Sequence, residues 1–241
     1  MRVALYVTCL VDQCWPEVGL AAAALLRHTG CDVVFDDSQT CCGQPACNTG
    51  YQAQGRPLAQ RVIELADRTR CDALVMPSGS CAAQVHHYPD LFPTDDAWRK
   101  RAEAVAEKTF ELGQFLMQRG ITTVPGRFPG TVTWHDACHG LRDLGIRDEP
   151  RRLLGLVPDL RYVEMAQADA CCGFGGTFAV KFPEISVAIA DQKVDAIRRS
   201  GADAVVAGDV SCLMHLRGRL QRLQVPVRTL HLAEVLAAGA F

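Results

Sequence analysis

The same cysteine skeleton occurs twice in this 241-residue chain. The first copy is Cys9, the triplet Cys41-Cys42-Gly43, then Cys81; the second is Cys138, Cys171-Cys172-Gly173, then Cys212. Thirty-one residues separate the first cysteine from the pair in one copy and thirty-two in the other, and the gaps from pair to last cysteine are thirty-eight and thirty-nine. The set repeats at an offset of 129 to 131 residues, and eight of the twelve cysteines fall into that register. Chance does not keep such spacings, so the chain reads as a duplicated thiolate site. Four thiolates per half is the donor number that a tetrahedral metal ion or an iron–sulfur cluster requires.

The length suits two domains of roughly 120 residues, read here as 1–125 and 126–241, with Pro125, Gly126, Pro129 and Gly130 crowding into a linker. Within each half, short β-branched runs alternate with helical patterns, which predicts an α/β fold of two similar tandem domains, each a small parallel-sheet βαβ unit, related by a pseudo-two-fold axis. Strands are expected at Val3–Val7, Asp32–Phe35 and Ala73–Met76, then at Thr131–Trp134, Arg161–Glu164, Ala204–Val206 and near Val227. Helices are expected over Pro16–Arg27, Pro57–Arg68, Ile185–Arg198 and Leu213–Leu223. The segment Thr109–Leu116 resembles Thr229–Leu236 and closes the first half as the latter closes the second. These two lie 120 residues apart, so the first half carries about ten extra residues, assigned to a solvated helix in the charged stretch Asp95–Lys108.

The net charge of −2 comes without a basic run, which leaves nucleic-acid binding without electrostatic support. No apolar stretch approaches the eighteen or so residues of a membrane span. The N-terminus MRVALYVTCL lacks the length and cleavage site of a secretory signal. The expected compartment is the cytosol, where clustered thiols stay reduced and serve metal or redox chemistry more often than disulfides.

Each cysteine follows a strand: Cys9 the first, the Cys-Cys-Gly triplet the second, Cys81 the third. The carboxyl ends of parallel strands share one edge, and that edge holds the ligand in open α/β sheets. Gly43 and Gly173 let the chain turn beside paired thiols, and Gly175 and Gly176 bring amides toward sulfur in the second loop. Cys31 and Cys71 open strands and read as small apolar residues. Cys14 and Cys47 have no partner in the other half and read as non-obligatory. His135 and His139 bracket Cys138, and His215 lies a helical turn from Cys212; each reads as a hydrogen-bonding residue before a ligand. His86 and His87 are expected exposed, and Lys181 and Arg142 are candidates to balance thiolate charge. Zinc remains the rival to iron, although no C-x-x-C occurs. There is no Gly-x-Gly-x-x-Gly after a strand and no serine elbow. Electron transfer therefore fits the chain better than hydride chemistry performed alone.

The segments VTCLVD, QTCCGQPACNTGY, MPSGSC, HDACHGLRDLGI, CCGFGGTFAVKFPEIS and GDVSCLMHLRGRLQR, with the closing HLAEVLA, resemble the lactate utilization protein A family over nearly the whole chain. That family belongs to the CCG cysteine-rich superfamily, together with a component of heterodisulfide reductase and the iron–sulfur subunit of glycolate oxidase. The resemblance implies a cytosolic iron–sulfur subunit that works with companion oxidoreductase proteins to oxidise L-lactate. It implies cluster ligation, one [4Fe–4S] group per domain, by Cys9, Cys41, Cys42 and Cys81 and by Cys138, Cys171, Cys172 and Cys212. The superfamily's fuller pattern ends each half in C-x-x-C; here Ser78 and Asp209 replace the first cysteine of that pair. Four cysteines per half leave the cluster type open, with zinc as the alternative in one half or in a purely structural subunit.

Overall fold

Parallel pairing organises each half into a sheet of the same order. The computed structural model describes residues 1–239. In the first half, β1 (Arg2–Leu5), β2 (Asp32–Val34), β3 (Ala73–Met76) and β4 (Thr109–Glu111) lie in the order β2-β1-β3-β4. In the second, β5 (Gly130–Trp134), β6 (Leu160–Tyr162), β7 (Ala204–Ala207) and β8 (Arg228–His231) lie in the order β6-β5-β7-β8. Every pairing is parallel, from Val3 opposite Ala73 in one sheet to Val132 opposite Ala204 in the other. The chain is an α/β protein of two similar tandem domains.

Strand alternation explains how the halves join. Val3, Leu5 and Val75 point into a central core that also takes Val132, Trp134 and Val206 from the second sheet. Their neighbours Ala4, Tyr6, Leu74 and Met76 point the other way, under the first half's own helices; Val205 does the same in the second half. The helix Leu112–Gln118 that ends the first half packs on Glu149–Leu154 of the second, while Leu232–Leu236, ending the second, packs on Pro16–His28 of the first. Such exchanged contacts are what a pseudo-two-fold axis produces.

The observed elements lie close to the expected ones, with differences at their ends. The helix at Pro57 begins earlier, at Gln52, and keeps the proline inside its first turns. β4 is a strand that the sequence pattern hid, because three residues are too few to show a period. The extra helix, Asp96–Glu107, is not wholly solvated: Ala102, Val105 and Ala106 form a buried stripe against the first half. Residues 121–129 form no regular element.

Candidate metal centre

β1 and β3 are the neighbours at which the strand order reverses, the place where open α/β sheets bind ligands. Cys9 opens the helix after β1, and Cys81 lies in the helix Gly79–His86 after β3. The loop after β2 delivers Cys41 and Cys42. Cys138, Cys171, Cys172 and Cys212 occupy the matching places after β5, β6 and β7. All eight cysteines line one cavity of about 410 Å³ between the halves. Leu10, Phe174, Val180 and Val210 give it apolar walls, and Gly175 and Gly176 lie at its edge.

Gly43 and Gly173 make the loops possible. Both have positive φ, 87° and 91°, and both lie against the backbone of the following long helix. A Cβ on Gly43 would sit 3.3 Å from the Gly55 carbonyl; one on Gly173 would sit 2.5 Å from that of Ser186. Their amides donate to sulfur, Gly43 N at 3.4 Å from Cys41 Sγ and Gly173 N at 3.2 Å from Cys171 Sγ. The Tyr88 hydroxyl donates to the Cys42 carbonyl at 2.7 Å and fixes the first loop from behind.

The sulfurs interact as two quartets. In the first, Cys41 is held well below its ordinary value by its neighbours Cys42 and Cys9 and by the Gly43 amide, and Cys9 is pushed up by Cys41 and by burial. In the second, Cys171 is pushed up by its neighbour Cys172 and by burial. Cys138 is pushed up by burial, by the charge of Cys171 and by Asp209, while Arg142 acts against these shifts on both Cys138 and Cys171. Metal binding needs thiolates, so a cation arriving here must displace protons from most of these sulfurs.

The two positions where cysteine is replaced meet each other. Asp209 Oδ1 accepts from Ser78 Oγ at 3.1 Å and from Ser80 Oγ at 3.0 Å, and Oδ2 accepts from Ser80 N at 2.8 Å. Ser211 Oγ donates to the same Oδ1 at 3.1 Å. Asp209 and Ser78 are each 3% exposed, and both line the cavity wall. A buried carboxylate without a cation beside it is tolerated only when hydrogen bonds satisfy it; here donors from both halves do so and join the domains.

Among the described residues, the trio of His, Cys, Asp or Glu donor atoms that all lie within 4.8 Å of one another is His135, Cys172 and Cys212. Neither ring nitrogen of His135 has a hydrogen-bond partner, and burial pushes its pKa down to about 3. A tetrahedral zinc thiolate site, with Zn–S of ~2.3 Å, places its sulfurs about 3.8 Å apart. No three sulfurs of the first quartet lie within 4.8 Å of one another.

The remaining candidates separate clearly. Cys31 and Cys71 are buried in the apolar cores, Cys14 is exposed, and Cys47 packs on Gly55, outside the cavity lining. His139 lines the cavity and holds Asp143 at 2.6 Å. His215 lies behind the second loop, 3.3 Å from Ser186 Oγ, and Lys181 is absent from the lining. His86 and His87 are exposed. Sequence reasoning missed Lys193, which is buried and donates to the carbonyls of Gln167 and Ala168 ahead of the second Cys-Cys-Gly. Its signal was a lysine between Ala190, Val194 and Ile197 on the apolar face of a helix.

The pattern of the cysteine-rich domain family, CCG, matches residues 3–86 and again 132–217, with the register of the cysteine repeat. A lactate utilization protein A from Exiguobacterium sp. is 48% identical over 99% of this chain and 98% of its own length. The chain belongs to the lactate utilization protein A family. Another member, from Macrococcus caseolyticus, is 45% identical over 98% of this chain and 96% of its own. The fold also resembles a hypothetical protein from Helicobacter pylori, with a TM-score of 0.66 at 8% identity, covering 98% of this chain and 48% of that one. No helix among the described residues is long and apolar enough to cross a membrane.

Proposed function

We propose that this family member is the iron–sulfur, electron-carrying subunit of a multi-protein system for lactate oxidation, acting in the cytosol beside companion oxidoreductase subunits. The lactate assignment follows the name of its relatives. The electron-carrying assignment is supported by one observation above the others: two thiol quartets open onto a single apolar-walled cavity. The eight cysteines of that lining are the proposed ligands, four from residues 1–125 and four from 126–241. An iron–sulfur group held there supplies one-electron transfer, with a potential set by burial and by hydrogen bonds to sulfur. The chain's own part is to present thiolates, donate the Gly43 and Gly173 amides to them, and limit water with Leu10, Phe174 and Val210. Cys171 is exposed and marks the side from which a redox partner approaches.

A second reading rests on the trio of His135, Cys172 and Cys212, whose close donors suit a single zinc ion in the second half. Anoxic reconstitution with iron and sulfide separates the two. The first reading predicts a brown protein whose charge-transfer absorbance, at roughly 400 nm for thiolate-held iron, bleaches on addition of dithionite. A colourless protein that retains zinc and shows no reducible signal contradicts it.

A further inference from the structure

Beneath the Asp209 clasp lies a carboxyl group that the proposed ligation does not use. Glu111 ends β4, is 4% exposed, and caps the next helix by accepting the Gln114 amide at 3.0 Å through Oε2. Its other oxygen, Oε1, is buried without a hydrogen-bond partner. Glu111 borders a small cavity between the halves, about 20 Å³, whose walls include Gly79, Trp134, Asp136, Gly140 and Gly208. That volume suits one water molecule. Gly208 is close enough that a Cβ on it would lie 3.3 Å from Oε1, and its neighbour Asp209 lines the cysteine cavity. Ala137 borders both cavities.

A cap does not require an acid, since glutamine accepts the same amide. The matching position in the second half holds another buried titratable cap, His231, whose Nδ1 accepts from Ala233 N at 3.1 Å. Burial pushes His231 down to about 4 and Glu111 up to about 7, so of the two caps Glu111 changes protonation near neutrality. The groups facing Glu111 favour its protonated form. Asp209 after β7 and Glu149 at the start of the helix Glu149–Leu154 both raise it. Asp136, across the small cavity, is tied to Arg151 at 2.9 Å, and His86 meets only the Thr109 carbonyl at the other end of β4.

An electron placed in a low-dielectric interior is stabilised by a positive charge that arrives with it. We propose that Glu111 is the proton acceptor coupled to reduction at the cysteine cavity, reached through the water-sized cavity between the halves. This rests on the iron–sulfur reading above. The electron comes from a one-electron carrier of the partner system. The proton comes from solvent and forms an O–H bond at Glu111 Oε1. On reoxidation that bond breaks and the proton returns to solvent.

The test compares iron-loaded wild type and Glu111→Gln by redox titration across neutral pH, with dithionite as the electron source. The wild-type midpoint potential should fall as pH rises through neutrality, toward one proton per electron, and the variant should show a flat profile. In parallel, urea unfolding of the metal-free proteins is followed against pH. Wild type should lose stability as pH rises from the ordinary glutamate value to about 7, because the folded state holds a proton that the unfolded chain releases; the variant should lack that loss. Iron-loaded proteins with the same slope overturn the coupling alone, and equal unfolding profiles show that Glu111 does not titrate and overturn it as well. A protein that takes up no iron overturns the coupling together with the function on which it rests.

Discussion

Gly43 and Gly173 occupy the same place in the repeat, yet they tolerate change differently. Both adopt a left-handed backbone, so any side chain is strained there, at roughly 1–3 kcal/mol. A Cβ at Gly173 would also meet the Ser186 carbonyl at 2.5 Å, against 3.3 Å between a Cβ at Gly43 and the Gly55 carbonyl. Gly173→Ala should therefore lower stability more than Gly43→Ala, by about 1 kcal/mol or more, measured as the shift in urea midpoint; equal shifts would contradict this geometry. The buried caps add a pH dependence. His231 has a folded pKa of about 4, below its unfolded value, so its contribution is present above the ordinary histidine range and is lost as pH falls through about 4. The loss amounts to roughly 3 kcal/mol, and His231→Gln should remove most of it in acid unfolding curves. At this scale the sequence exposed the cysteines, the glycines and the two replaced positions. It did not reveal that Ser78 and Asp209 touch, because they are 131 residues apart and only the domain arrangement brings them together.

Among the elements, the long helices were legible because their apolar spacing persists over several turns, as in Gln52–Thr69 and Pro183–Ser200. β4 escaped as a strand although its likeness to the closing segment of the second half was visible; period-two alternation cannot declare itself in three residues. The same two helices show how a shared scaffold acquires different chemistry. In the common register Val62 of the first corresponds to Lys193 of the second, and both are buried. Lys193 ties its helix to the carbonyls of Gln167 and Ala168, the first of which belongs to a residue with φ of 55°. Lys193→Met keeps the length and apolar stem but removes the ammonium donor from both carbonyls, leaving each with one backbone amide, Ala170 N on Gln167 and Asp136 N on Ala168. Loss of these charge-assisted bonds should destabilise the protein by about 1–3 kcal/mol, read by urea unfolding, whereas an unchanged midpoint would mean that the backbone amides alone suffice for those carbonyls.

The whole molecule is held by exchange: each half ends in a helix that packs against the other, and one apolar core takes strand residues from both sheets. The cysteine cavity is a product of that exchange, since its lining draws on both sets of strand ends. The sequence announced two quartets but not their common cavity, because a repeat specifies two alike units and leaves their mutual orientation to packing. Yet the thiols that shift one another most strongly belong to the same quartet, Cys9 with Cys41 and Cys42 with Cys81 in the first, Cys171 with Cys172 and Cys172 with Cys212 in the second. The quartets should accordingly load separately. The direct measurement is iron, sulfide and zinc content after anoxic reconstitution of wild type, Cys41→Ser and Cys171→Ser. The account predicts about four irons per half in wild type, with either substitution lowering iron and sulfide to about half and sparing the other quartet. Loss of all iron from either variant would mean one shared centre, and wild type that holds zinc alone would contradict the electron-carrying role.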